Sequence, residues 1–129
     1  MTNQVKHLFV YGSLLSFFET QKELGISRMI RRVDTIQLRG RLYNLGAYPG
    51  ALLGDKNSRI RGELYEILEA GSLEIIDRYE GFDSSTPDQS LFVRQIIRGY
   101  DVPFYIYVYN RSVDVSQYIE NGDWIQHCK

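Results

Sequence analysis

The apolar positions of this chain change period several times, and each change marks an element. Residues 5–11, VKHLFVY, form a short run of aromatic and β-branched residues that stops at Gly12, which predicts a first strand buried on both faces and closed by a glycine turn. From Thr35 to Leu45 the period is two: Ile36, Leu38 and Leu42 fall on one side and Gln37, Arg39, Arg41 and Tyr43 on the other. A half-buried strand follows from that pattern. The alternation returns at Ile60–Tyr65, where Ile60, Gly62 and Leu64 oppose Arg61, Glu63 and Tyr65, after a segment with Tyr48-Pro49-Gly50 and Asp55-Lys56-Asn57-Ser58 that reads as a loop. It returns again at Leu91–Arg98. It is clearest at Val102–Asn110, with Phe104, Ile106 and Val108 on a core side and Tyr105, Tyr107 and Tyr109 opposite. The tyrosine side reads either as an aromatic ladder on a half-exposed sheet or as a binding wall.

Two segments carry helical signals. Phe17–Leu24 holds helix-forming residues and stops before Gly25, a natural residue for the left-handed position after a helix. Ser72–Tyr79 places Leu73, Ile76 and Tyr79 on one side, with Ser72 as N-cap and Gly81 just past the end. About six strands and two or three short helices, without regular strand–helix alternation, predict an α+β fold: a small, strongly curved mixed sheet or barrel with short flanking helices. A Rossmann-type sheet is disfavoured. With no repeat, low-complexity tract or linker, one domain over residues 1–129 is expected.

Composition narrows the function classes. A chain of 129 residues that is 43% apolar can bury one real core. Its 15 basic and 16 acidic residues leave a net charge of −1, so a nucleic-acid-coating role gains no support and no nucleic-acid partner is expected. The charge is nonetheless uneven. Residues 28–61 hold eight Arg or Lys and residues 62–91 hold eight acids, read either as solvated strand faces or as a cationic wall facing an anionic substrate. The single cysteine, Cys128, excludes an intramolecular disulfide and any CxxC metal or redox site, which fits a reducing cytoplasm. Segment 8–18, LFVYGSLLSFF, has the look of a signal-peptide core, but Glu19-Thr20-Gln21-Lys22-Glu23 follows with no small-residue cleavage site. It also falls short of the ~20 residues of a membrane span. Neither export nor membrane association is expected.

Few residues can carry chemistry. Gly12-Ser13-Leu14 ends the first strand, where successive backbone N–H groups can converge on a carboxylate or a developing oxyanion. Ser13 as a nucleophile lacks the G-x-S-x-G elbow, and His7 and His127 have no pattern linking them to it or to a metal. Glu80 sits at the end of the predicted helix, at its negative pole, between Tyr79 and Phe82. Dipole and desolvation both disfavour its charged form and raise its proton affinity toward that of a general base. The alternative is a solvent-facing carboxylate paired with Arg78 or a neighbour. Asp77, one turn earlier, reads as surface.

Five segments together resemble a known family. They are Phe9-Val10-Tyr11-Gly12-Ser13-Leu14, then Gly40-Arg41-Leu42-Tyr43 with Tyr48-Pro49-Gly50, then Gly62-Glu63-Leu64-Tyr65, then Asp77-Arg78-Tyr79-Glu80-Gly81, and finally Asn121-Gly122-Asp123-Trp124. In this order over nearly the whole chain they resemble the γ-glutamylcyclotransferase-like family, in its AIG2-like branch. The resemblance implies a small barrel with flanking helices and a cavity floored by the YGSL turn. It implies Tyr11, Gly12, Ser13 and Leu14 as the substrate-binding loop and Glu80 as the catalytic acid. That acid takes a proton from the α-amine of a γ-glutamyl substrate, and the amine attacks its own side-chain carbonyl to release 5-oxoproline. The implied partner is a small γ-glutamyl compound, and no metal or other cofactor is called for.

One position departs from the family pattern. Many relatives have a tyrosine before the x-Arg of the strand after the catalytic acid, where this chain has Phe92 in Phe92-Val93-Arg94. Either Tyr107 or Tyr109 supplies the missing hydroxyl, or the substrate differs from γ-glutamyl peptides. Trimming of a γ-glutamyl group from a biosynthetic or toxic amine is a related enzymatic reading. A non-catalytic module that binds a small carboxylate in the same pocket is the reading of a different class, and an acid in that pocket argues against it. The sequence gives no sign of an oligomeric state.

Overall fold

Strand β1 (His7–Val10) has no polar face to offer water, and it runs through the middle of the fold with Leu8, Phe9 and Val10 buried. A computed structural model describes residues 4–129. In it β1 pairs antiparallel with β4 (Arg59–Ile67), from His7 opposite Glu66 to Val10 opposite Glu63, and parallel with β6 (Phe104–Tyr109). With β2 (Ile30–Asn44), β3 (Pro49–Leu53) and β5 (Phe92–Ile97) the order is β3-β2-β4-β1-β6-β5, and the short β7 (Tyr118–Ile119) adds to β2. Three short helices flank this mixed sheet: α1 (Thr20–Glu23), α2 (Gly71–Glu80) and α3 (Trp124–Cys128).

The sheet curls into a half-barrel. Strand β2 pairs with β4 as far as Arg39 and with β3 from Gly40 onward. A side chain on Gly40 would lie 2.7 Å from the Leu52 carbonyl oxygen and 2.9 Å from Ile60 Cδ1, so glycine lets the strands close up there. The far strand then comes round over β6: a Cβ on Gly50 would sit 2.9 Å from Tyr109 Cβ. Phe9, Phe104, Ile106, Leu42 and Ile60 fill the hollow. The α+β curved-sheet expectation holds.

The uneven charge has a structural cause that neither sequence reading contained. Strands β2 and β4 run antiparallel with Arg31 opposite Glu66, and these two side chains form an ion pair. Arg32 reaches Glu63 at 3.4 Å. Part of the basic block is therefore the cross-strand complement of part of the acidic block.

Several elements differ from expectation. The helix predicted over Phe17–Leu24 is the single turn α1, because Leu15 accepts a turn bond from the Phe18 N–H and Gln21 is drawn off to the Leu14 carbonyl and the Tyr65 hydroxyl. Pro49–Leu53, read as loop, is the edge strand β3, where proline at the first position costs no ladder bond. Strand β4 loses its alternation at Glu63–Tyr65, all buried, because the 14–21 segment covers the polar face. The Asn121–Trp124 motif is structural: the Gly122 carbonyl accepts from the Arg61 N–H, Asp123 caps α3, and Trp124 is buried.

Candidate active site

Helix α2 ends where Gly81 takes a left-handed φ of 72°, with the Gly81 N–H donating to the Arg78 carbonyl and the Phe82 N–H to the Asp77 carbonyl. Ile76 is buried on the core side of this helix. The Glu80 side chain therefore leaves the last turn toward β1 rather than toward solvent, and it lines a cavity of about 260 Å³. The turn Tyr11–Leu14 lines the same cavity, facing Tyr48, Pro49 and Phe92. The four loop residues and the acid singled out in the sequence thus share one hollow.

Glu80 is half-buried, and among the described residues no hydrogen-bond donor or cation engages its carboxylate. Arg78, the partner the solvent-facing alternative needs, reaches back to the Glu74 carbonyl. Desolvation pushes the Glu80 pKa from 4.5 to about 7. Tyr11 is buried beside it, donating its hydroxyl to the Tyr107 carbonyl at 2.6 Å and accepting from the Ala51 N–H at 3.2 Å. Burial, and then the nearby Glu80 charge, hold the Tyr11 phenol well above its usual pKa. It remains a neutral strut linking β1, β3 and β6.

The turn is built to present amides. Its Gly12 carbonyl accepts from the Leu15 N–H, and among the described residues no protein acceptor engages the N–H groups of Gly12, Ser13 or Leu14. A Cβ on Gly12 would stand 2.8 Å from Pro49 Cγ, so only glycine permits this approach of turn and β3. Ser13 Oγ lies 2.5 Å from the Tyr79 hydroxyl, tying the turn to the residue before Glu80. Behind the turn, the buried carboxylate of Glu63 accepts from the Ser16 N–H and hydroxyl, both at 2.8 Å, and from the Tyr65 hydroxyl at 2.9 Å.

Asp77 is not a surface residue. Both its oxygens accept from Arg94 Nη1 at 3.0 Å, and Oδ1 also accepts from the Tyr107 hydroxyl at 2.5 Å. The Arg94 guanidinium is stacked over the Tyr105 ring at 4.8 Å. Of the three tyrosines on β6, Tyr107 lines the cavity with its hydroxyl spent on Asp77, and Tyr109 packs on Phe92. His7 lies on β1 opposite Glu66, and His127 contacts Asn44 and stacks on Trp124, all outside the cavity. Among the described residues no group of His, Cys, Asp and Glu could hold a metal, and no helix is long and apolar enough to cross a membrane.

The sequence reading put Asp77 on the surface and named Tyr79 only as a neighbour of Glu80, without its bond to Ser13, and it gave Glu63 no role. A signal existed for Asp77, which precedes Glu80 by three residues and so shares its helix face. For Glu63 none existed, since only the tertiary fold of the 14–21 segment covers it.

A curled half-barrel sheet with short flanking helices is the fold that the comparisons also find. The model of the family described as γ-glutamyl cyclotransferase, AIG2-like, matches residues 8–126, and the chain belongs to that family. Membership places it in an enzyme class. It is 32% identical over 124 residues to the γ-glutamylcyclotransferase family protein YtfP of Escherichia coli K12, covering 95% of this chain and 98% of that one. The corresponding protein of Citrobacter rodentium is 31% identical over 120 residues, covering 92% and 94%. The solution structure of E. coli ytfP superposes with a TM-score of 0.71 at 30% identity over 95% of this chain and 99% of that one. An AIG2-like protein of Mus musculus shares the fold, with a TM-score of 0.71 at 17% identity over 94% and 88%.

Proposed function

We propose that this protein releases 5-oxoproline from a γ-glutamyl amine or peptide by intramolecular cyclisation, with Glu80 as general base and then general acid. The observation that carries this reading is the Glu80 carboxylate, unpaired and raised to about 7, in the cavity of the Gly12–Leu14 turn.

An α-ammonium with a pKa of about 8 can pass its proton to such a carboxylate with little loss, because the two affinities are nearly matched. The freed amine nitrogen bonds to the side-chain Cδ of its own glutamyl residue. The Cδ–N bond to the departing amine then breaks as the proton held by Glu80 goes to that nitrogen. The ring nitrogen sheds its second proton on becoming an amide, and that proton also leaves on the released amine, which departs as an ammonium. No water, metal or redox partner enters this balance. The unengaged amides of the Gly12–Leu14 turn are suited to negative charge on the substrate. Holding the flexible chain in its ring-closing conformer contributes several kcal/mol more, on the order of the effective-molarity gains of intramolecular reactions. Tyr107 has its hydroxyl committed to Asp77, so it does not replace the polar contact that Phe92 lacks.

A non-catalytic carboxylate-binding module fits less well, because an unpaired acid in the pocket repels such a ligand. Incubation with γ-glutamyl dipeptides, γ-glutamylamines and glutathione, followed by assay of 5-oxoproline, tests the proposal. Turnover of at least one compound is expected, with a loss of at least ~100-fold in Glu80→Gln, as for removal of a general base. Activity that survives the substitution refutes the assignment.

A further inference from the structure

The two halves of the cavity are anchored to the barrel independently. On the turn side, Glu63 holds Ser16 from behind, and Gly12 lies close against Pro49. On the helix side, Asp77 is bound to Arg94 and Tyr107, and the Gly81 carbonyl accepts from the Leu91 N–H. Neither set spans the space between the turn amides and the Glu80 carboxylate. Among the described residues, a single hydrogen bond joins residues 11–16 to helix α2, the one between Ser13 Oγ and the Tyr79 hydroxyl at 2.5 Å. Tyr79 precedes Glu80 in the last turn of the helix, so a tie to its ring acts on the backbone that carries the acid. Both bonded residues line the cavity, and Tyr79 keeps 42% of its surface exposed, which puts the bond across the rim rather than on the floor.

We propose that Tyr79 is a positioning residue of the cyclisation: through Ser13, its hydroxyl clamps the Gly12–Leu14 turn at the separation from Glu80 that the reacting glutamyl group must span. This rests on the cyclotransferase reading of the same site. The α-nitrogen has to meet Glu80 while the rest of the same group meets the turn amides, so an error in that separation becomes an error in the line of attack. A misplacement of about 1 Å can cost up to ~100-fold in rate. The bond changes are those given above, and neither hydroxyl gives up a proton in them. The clamp differs from Glu63 in what it controls. Glu63 shapes the turn itself, whereas the Ser13–Tyr79 bond sets where a formed turn stands relative to the base.

Tyr79→Phe and Ser13→Ala each remove one half of the bond and leave the ring and the backbone in place. 5-Oxoproline formation is followed with the γ-glutamyl dipeptide, γ-glutamylamine or glutathione that the parent turns over fastest. Nitrogen-15 order parameters are measured for the Ser13 and Leu14 amides. Each variant is expected to lose ~5–50-fold in kcat, with a smaller rise in KM. The double variant is expected to lose no more than about twofold beyond the less active single variant, because both remove the same bond. Ser13→Thr restores a hydroxyl at a half-exposed position with negative φ and is expected to keep most of the parent kcat. The order parameters are expected to fall from about 0.85 toward 0.6 in Tyr79→Phe. Parental kcat in Tyr79→Phe, or a change confined to KM, overturns the inference and leaves the cyclotransferase reading intact. Losses that multiply in the double variant do the same, since the two hydroxyls would then touch substrate separately. Order parameters that fall in a protein with no turnover of any of these compounds support the clamp and refute the cyclotransferase reading. Order parameters unchanged from the parent overturn the clamp, and without turnover they overturn both.

Discussion

Asp77 on helix α2 accepts two 3.0 Å hydrogen bonds from a single guanidinium nitrogen of Arg94 on strand β5, and this pair fixes the helix turn that carries Glu80. The Tyr107 hydroxyl completes the arrangement from β6. Two strands therefore converge on one carboxylate of the helix, three residues ahead of the proposed base.

Removing that carboxylate strands the guanidinium. Asp77→Ala leaves a mostly buried Arg94 without its partner and is expected to lower the free energy of unfolding by about 1–3 kcal/mol. Tyr107→Phe removes one hydrogen bond and is expected to cost about 1 kcal/mol. Urea denaturation of the two single variants and the double variant checks both values, and Asp77 and Tyr107 are expected to be coupled because they share the bond.

The raised proton affinity of Glu80 predicts a pH dependence of stability with a definite sign. Its folded pKa of about 7 lies above the ordinary 4.5, so between those values the native state keeps a proton that the unfolded chain has released. Stability therefore falls as pH rises from about 4.5 through about 7. Glu80→Gln removes the effect and is expected to be more stable than the parent by about 1–3 kcal/mol at pH 8, with the difference shrinking at pH 5. Thermal or urea unfolding of both proteins at the two pH values checks this.

Glu63 holds the turn from behind, so its loss should be felt in substrate binding without any contact to substrate. Glu63→Ala leaves the Ser16 N–H, the Ser16 hydroxyl and the Tyr65 hydroxyl without their acceptor and is expected to cost about 2–4 kcal/mol. KM is expected to rise more than kcat falls. Faster amide hydrogen exchange at residues 13–16 is the independent sign that the turn has loosened.

Gly62 packs directly on the strand that precedes the turn. A Cβ there would lie 2.4 Å from both the Val10 carbonyl oxygen and Phe9 Cζ, and neither the backbone of β1 nor a core ring can yield cheaply. Gly62→Ala is expected to destabilise the protein by about 2 kcal/mol or more, as overpacking does. The midpoint of thermal unfolding checks it.

How far the sequence could be read depended on whether a residue's environment was local. His7–Val10 and Phe104–Tyr109 showed as strands because their side-chain types alone mark a pleated, buried surface, and Gly81 marked the end of α2 because a left-handed cap is a local need. The position of Glu80 at that end followed directly. Pro49–Leu53 was hidden because proline and glycine read as loop until an edge position supplies the reason for them. Asp77 could be put on the Glu80 face of α2 by spacing, but its partners could not be read, and Glu63 carried no signal at all, since each is engaged by segments distant in the chain: Arg94 and Tyr107 for the one, Ser16 for the other. The pairing of the basic and acidic blocks was likewise invisible until the β2–β4 register was known.

The ionisation of Glu80 is open to direct observation by a carbon-13 NMR titration of its side-chain carboxyl, assigned by comparison with Glu80→Gln. A midpoint near 7 is the predicted result. A midpoint near 4.5 would mean a hydrated carboxylate without the proton affinity of a base, and it would contradict the account of this cavity.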